Sequence, residues 1–339
     1  MRQTKFVERW HSDAFESRKI AMQIFKDLKQ KLKIIPHPFT GWRSLPNQKL
    51  KTIEINENGL RSKSLKNLKY KKNAILLGGS VAWGFGASSN ENTPAYKLEE
   101  FLNSKYNLNY NVINLSEQSH SSIEEINTFI SAYHELKPEM IVIFSGCNDI
   151  NFEFNKEYKR NDLYDSVSNF YLWGDKIGIF REKNFFKIIL KILFRFFKKN
   201  KKLSDEFYYF KKFDVSEYAK NMYQTKLDFI SKFCEMKKIK VFNILQPDMF
   251  FKLKKSNFEM KYCEFEGEER KNFVLKKNKE FENKFFNSKN DTNYIKNMSL
   301  LNCFDDISET IFVDRSHTAD KGYKIISEKI SDFIFKNID

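Results

Sequence analysis

The chain has 339 residues, 41% of them hydrophobic and 16% aromatic, which is more than one hydrophobic core usually takes up. Its formal charge of +15 is spread along the sequence without any named nucleic-acid motif, so no nucleic-acid partner is expected. Cys147, Cys234, Cys263 and Cys303 stand far apart with no C-x-x-C pair, so neither a zinc site nor a disulfide framework is indicated, which suits a reducing compartment.

The first 22 residues, MRQTKFVERWHSDAFESRKIAM, contain no apolar core of a signal peptide. Residues 1–35 read as charged and helical. IPHPFTGWRSLPN, with three prolines, reads as an irregular loop, and His37 within it is expected to pack over the core. NAILLGG (73–79) reads as a buried strand ending in glycine. Thr93-Pro94 opens a helix with Ala95, Leu98, Phe101 and Leu102 on one face.

NVINL (111–115) is a second short strand. Ser122 and Glu125 have capping-box spacing before a helix with Ile126, Phe129, Ile130 and Tyr133 on one side. MIVIFSG (140–146) is a third buried strand and KVFNILQP (240–247) a fourth. Residues 250–300 are polar, Lys-rich and give no clear pattern, and a helix closes the chain with Ile325, Ile326, Ile330, Phe333 and Ile334 as its apolar side. Apolar strands without alternation, joined by helices, indicate a parallel sheet covered on both faces. Between the third and fourth strands, residues 151–235 read as a helical, aromatic and basic insertion.

The stretch ILLGGSVAWGFG poses the functional question. A P-loop requires Lys-Ser or Lys-Thr after its glycines, and none follows here. A dinucleotide fingerprint requires a third glycine after Gly84-Phe85-Gly86, and Ser89 stands there instead. A nucleophile turn fits better, since Ser80 directly follows a parallel strand, at the sheet edge where open α/β folds bind ligands. Serine needs a base and an orienting acid. FVDRSHTADKG supplies both, with Asp314 three residues before His317 on what reads as a turn. SGCNDI at the end of the third strand brings the Asn148 carboxamide to the same edge as a candidate oxyanion donor, beside the Ser80 N–H. The loop NLSEQSHSS reaches that edge as well. The α/β-hydrolase elbow G-x-S-x-G is not matched, because Ala82 stands where its last glycine belongs.

With these four blocks in order, the chain resembles the SGNH (GDSL-type) hydrolases. GGSVAWG corresponds to the block carrying the nucleophile, Ser80. NLSEQSHSS corresponds to the second block, GCND to the third with Asn148, and DRSH to the last with Asp314 and His317. The match covers residues 73–150 and 310–335. The family's GDS is GGS here, and its second-block glycine, which gives an oxyanion N–H, aligns with Ser119. Serine keeps the N–H but tolerates fewer backbone angles.

The resemblance implies a three-layer α/β/α sandwich with a flavodoxin-like parallel sheet. It also implies a Ser80–His317–Asp314 triad with an oxyanion hole of Ser80, Ser119 and Asn148, and no metal or organic cofactor. Small-acyl esters, chiefly acetyl esters of a carbohydrate or lipid-like molecule, are the implied substrates. An O-acyltransferase acting on a sugar and a non-catalytic, membrane-docked binding protein stay open beside it. The expected organisation is an extension over 1–69, a catalytic domain over 70–150 and 236–339, and the insertion between them.

Of the remaining residues, Asp149 is expected to bond within its own turn, and Trp83 to pack beside the nucleophile, its ring available as a pocket floor. His120 reads equally as a pocket or a surface residue. FFKIILKILFRFF (185–197) carries Lys187, Lys191 and Arg195 as a basic stripe on an apolar helix too short to span a bilayer. Core packing, peripheral contact with anionic lipid and a lid are its competing roles. The expected location is the cytoplasm, at the inner membrane surface if that stripe docks.

Overall fold

The computed structural model describes residues 10–151 and 215–338. Its main compact unit comprises residues 1–150 and 222–339; a second unit, 151–221, lies almost wholly outside the described residues, as does the basic stripe at 185–197.

Five parallel strands form the central sheet: β5 (Lys72–Gly78), β6 (Tyr110–Asn114), β7 (Met140–Ser145), β8 (Lys240–Leu245) and β9 (Ile295–Ser299). Their spatial order is β6-β5-β7-β8-β9. Counted within the sheet this is 2-1-3-4-5, the flavodoxin-like order, whose switch point lies between β5 and β7. Ligands bind outside the carboxyl ends of the strands at such a point. Leu76 pairs with Val142 and Gly78 with Phe144, so the chain leaves both strands at nearly the same level.

Alternate residues of these strands feed two cores. Ala74, Leu76, Val142, Phe144, Phe242 and Ile244 pack under α3 (Pro94–Ser104) and α8 (Asp320–Asn337). Ile75, Leu77, Ile141, Ile143 and Val241 face α4 (Ser122–Leu136) and α5 (Val215–Lys237). Burial on both faces is why the strands read as continuous apolar runs. The result is the expected three-layer sandwich.

The N-terminal part carries α1 (Arg18–Lys26), a hairpin of β1 (Ile34–His37) and β2 (Gly41–Ser44), and a small pair of β3 (Gln48–Lys49) with β4 (Glu54–Ile55). Trp10, Phe15, Ile24 and Ile53 share one apolar cluster with Trp83, Phe85, Val313 and Ala319. The segment therefore packs on the turns that carry Ser80 and His317. The hairpin was not legible, since its tip reads as a proline-punctuated loop.

Several local expectations are corrected. The box before α4 uses Ser121 and Glu124, whose carboxylate accepts the Ser121 N–H at 2.8 Å. Glu125 turns inward instead to a buried pair with Lys226 at 2.7 Å. Ile130 is half exposed rather than on the inner face. The unreadable region 250–300 supplies α6 (Asn257–Glu266), α7 (Glu268–Phe285) and the edge strand β9. Among the described residues, no helix is long and apolar enough to cross a membrane.

Candidate active site

Ser80 opens the one-turn helix α2 (Ser80–Trp83) at the carboxyl end of β5, after Gly78 and Gly79. The two glycines are required by space. A Cβ on Gly78 would lie 2.3 Å from the Phe144 carbonyl, and one on Gly79 would lie 2.3 Å from Asn148 Nδ2. The turn that carries Ser80 is thus pressed against β7 and against Asn148. Ser80 N–H is one of the first-turn amides that a helix leaves without an internal partner.

His317 reaches Ser80 from the far end of the chain. Its Nε2 lies 2.7 Å from Ser80 Oγ, and its Nδ1 lies 2.9 and 2.8 Å from the two Asp314 oxygens. A carboxylate facing Nδ1 fixes the proton there and leaves the Nε2 lone pair toward the hydroxyl. Asp314 is buried and also accepts the N–H groups of Ser316 and His317, at 3.0 and 2.9 Å, which close the tight turn that the three-residue spacing predicts. Phe85 packs on the imidazole at a centroid distance of 4.4 Å.

Asn148 Nδ2 donates to the His120 carbonyl at 2.7 Å, which ties the third block to the second. Ser119 is exposed and has φ +62°, the left-handed conformation that favours glycine. Serine thus stands in a conformation that glycine adopts more readily. The structure thus brings Ser80, His317 and Asp314 together, and sets Asn148 and the loop of Ser119 and His120 beside them.

Three expectations about neighbouring residues change. Trp83 is fully buried, with the Arg61 guanidinium 4.6 Å from its ring, so it does not floor a pocket. His120 is buried rather than superficial; its ring packs edge-on to Trp42 at 5.4 Å, and burial lowers its pKa to about 4. Asp149 does not bond within its own turn; it accepts the Ser122 N–H at 3.2 Å, across to the start of α4.

Other supporting residues escaped the sequence reading. Arg61 is buried and donates to the Gly84 carbonyl at 2.6 Å, to Thr52 O at 2.9 Å and to Asn90 Oδ1 at 3.0 Å. It pins the exit of the turn that carries Ser80, and burial lowers its pKa to about 10. Arg315, inside the DRSH block, donates to Asp248 at 2.7 Å and to Cys147 Sγ at 2.9 Å. One side chain thereby joins the ends of β7 and β8 to the histidine turn, while burial pushes the Cys147 thiol up. Nothing local in the sequence marks either arginine, because each bonds to groups on other turns, 67 and 168 positions away for Arg315. Among the described residues, no group of three or more His, Cys, Asp or Glu side chains is placed to hold a metal ion.

No protein-family model matches the chain, and no curated protein matches it. Its solved structural neighbours include a lipase from a goat rumen metagenome, 15% identical, with 77% of this chain and 97% of that one covered and a TM-score of 0.44. A lipase/acylhydrolase from Enterococcus faecalis is 12% identical, with 78% and 96% covered and a TM-score of 0.41. A GDSL-like lipase from Bacteroides thetaiotaomicron is 12% identical, with 80% and 92% covered and a TM-score of 0.36. All three scores lie below 0.5, so the functional reading rests on the geometry of the site itself.

Proposed function

We propose that the protein is a serine ester hydrolase, with Ser80 as nucleophile, His317 as base and then acid, and Asp314 as the orienting carboxylate. The observation that carries this reading is the unbroken line from Asp314 through both nitrogens of His317 to Ser80 Oγ, with contacts of 2.8 and 2.7 Å. Ser80 Oγ attacks the ester carbonyl while its proton passes to His317 Nε2. The tetrahedral oxyanion is held by the N–H groups of Ser80 and Ser119 and by the Asn148 carboxamide. His317 then protonates the leaving alcohol, and water, activated by the same imidazole, releases the acid from the acyl-enzyme. Small-acyl esters, above all acetyl esters of a carbohydrate or lipid-like alcohol, are the proposed substrates, on the strength of the four-block resemblance.

The test is fluorophosphonate labelling followed by peptide mass spectrometry, beside p-nitrophenyl ester hydrolysis over acyl lengths from acetyl to octanoyl. The expected result is a single adduct on Ser80, lost in His317→Ala, with turnover falling as the acyl chain lengthens. Folded protein that neither labels at Ser80 nor hydrolyses any ester would overturn the proposal.

A further inference from the structure

The Ser119 loop is a turn. His120 N–H bonds to Glu117 O at 3.3 Å, so Gln118 and Ser119 are its two central residues. Of these, only Ser119 has a positive φ, at +62°. A positive φ at the third residue alone is the type II pattern, and glycine is its usual occupant. A type I turn over the same four residues differs by a flip of the central peptide, here the unit made of the Gln118 carbonyl and the Ser119 N–H. The flip decides on which side of the turn that N–H emerges.

The N-terminal hairpin holds this peptide from outside. The Trp42 indole N–H donates to the Gln118 carbonyl at 2.7 Å. In a planar trans peptide the C=O and N–H point in opposite directions, so fixing the carbonyl toward Trp42 turns the Ser119 N–H away from it. The same strand grips both flanks of the turn. Ser44 gives its N–H and its hydroxyl to Glu117, each at 2.8 Å. The Trp42 carbonyl lies 3.3 Å from His120 Nε2 and accepts its proton. Behind the turn, the His120 carbonyl takes the Asn148 amide and lies 3.1 Å from where a Cβ on Gly79 would sit. The His120 end of the turn therefore lies against Gly79, the residue before Ser80.

We propose that Trp42 is a positioning residue for the oxyanion hole. Its indole N–H holds the Gln118–Ser119 peptide in the orientation that presents the Ser119 N–H to the reacting carbonyl. It thereby lets a serine occupy a place suited to glycine. The hydrogen bond on the carbonyl also polarises the peptide and strengthens its N–H as a donor. This role rests on the hydrolase reading above, and Trp42 itself touches no reacting atom.

The test is a cycle of Trp42→Phe, Ser119→Gly and the double variant, read by p-nitrophenyl acetate kinetics and urea unfolding. Trp42→Phe keeps an aromatic ring but deletes the indole N–H together with the fused five-membered ring. The packing loss, being common to the Ser119 and Ser119→Gly backgrounds, cancels in the cycle. With Ser119 in place it is expected to lower kcat about 100-fold, the effect of losing one oxyanion donor, with KM changed less than about threefold because the ground-state ester gains little from that donor. In the Ser119→Gly background the same change is expected to cost less than about tenfold, since glycine holds the type II turn unaided.

Unfolding supplies an independent reading. Ser119→Gly is expected to raise the folding equilibrium constant about tenfold while Trp42 is present, by relieving the left-handed serine. The gain shrinks with Trp42→Phe, where the serine turn relaxes by itself. Equal kcat losses in both backgrounds, or a stability gain independent of Trp42, would overturn the positioning role while Ser80 still labels. Absence of labelling in the unsubstituted folded protein would instead bring down the hydrolase reading, and this role with it.

Discussion

Gly86 and Thr318 meet backbone to backbone: a Cβ on Gly86 would lie 2.0 Å from the Thr318 carbonyl oxygen. Gly86 ends the turn that follows Ser80, and Thr318 follows His317. The two halves of the site, more than two hundred residues apart, are thus joined by a contact that only hydrogen on Cα permits. The Tyr323 hydroxyl accepts the Gly86 N–H at 3.4 Å and adds a weaker tie between the same segments.

Gly86→Ala is accordingly expected to displace the histidine turn. Overpacking of this kind costs about 1–3 kcal/mol of stability. The larger effect is on alignment, so Ser80 labelling by a fluorophosphonate is expected to slow at least about tenfold in protein that still folds. Stopped-gel labelling beside a urea titration separates the two. Unchanged labelling would mean that the contact is incidental to the site.

Asp314→Asn probes the proton position on His317. The carboxylate accepts from Nδ1, whereas an amide offers an N–H there and favours the other tautomer. In triads of this geometry the change lowers kcat by about 10⁴-fold with the framework intact. Hydrolysis of p-nitrophenyl acetate measures it, and a loss under about tenfold would show that Asp314 serves the turn rather than the base.

Arg61 spreads one guanidinium over Gly84 O, Thr52 O and Asn90 Oδ1. Lysine has the charge but not the fork. Arg61→Lys leaves at least one buried carbonyl unmet, and the loss of a charge-assisted hydrogen bond is expected to cost at least about 2 kcal/mol. Urea denaturation reads this directly; a cost below about 0.5 kcal/mol would mean that the network re-forms around the ammonium.

Much of the candidate site was legible in the sequence, Ser80 and Asn148 just after strands and Asp314 and His317 on one turn before α8. Ser80, Asn148, Asp314 and His317 lie in short motifs whose spacing carries their chemistry, and the apolar runs of β5 to β8 announce a sheet buried on both faces. What stayed hidden is what long-range packing decides. β9, Ile295–Ser299, lies at the sheet edge with only Asn297 fully buried, so its pattern is weak. The β1–β2 hairpin reads as a loop because prolines punctuate it, while the contacts that fix it in place, from Trp42 and Ser44 to Glu117, Gln118 and His120, span more than seventy positions. Glu125 looked like a capping residue because its buried partner, Lys226, lies 101 residues further on.

His120 sets a pH dependence whose sign follows from its burial. Its pKa in the fold is lowered from 6.5 to about 4, chiefly by desolvation, with Arg43 and His37 adding in the same direction and the Trp42 carbonyl opposing. Between those values the unfolded chain binds the proton and the folded chain does not, so this group's contribution to stability rises with pH. It is fully present above pH 6.5 and is lost as pH falls toward 4. Its size between pH 4.5 and 7 is about 2.5 kcal/mol. Glu117, Glu124, Glu125 and Asp248 act oppositely, because burial raises their carboxyl pKa values and favours the acid side. Comparison with His120→Gln removes those shared terms and keeps a donor for the Trp42 carbonyl. Urea midpoints at pH 7 and pH 4.5 are expected to separate more in the natural protein than in the variant. Equal shifts would show that the buried imidazole accepts its proton without cost, and that the grip of Trp42 on the turn does not depend on its neutrality.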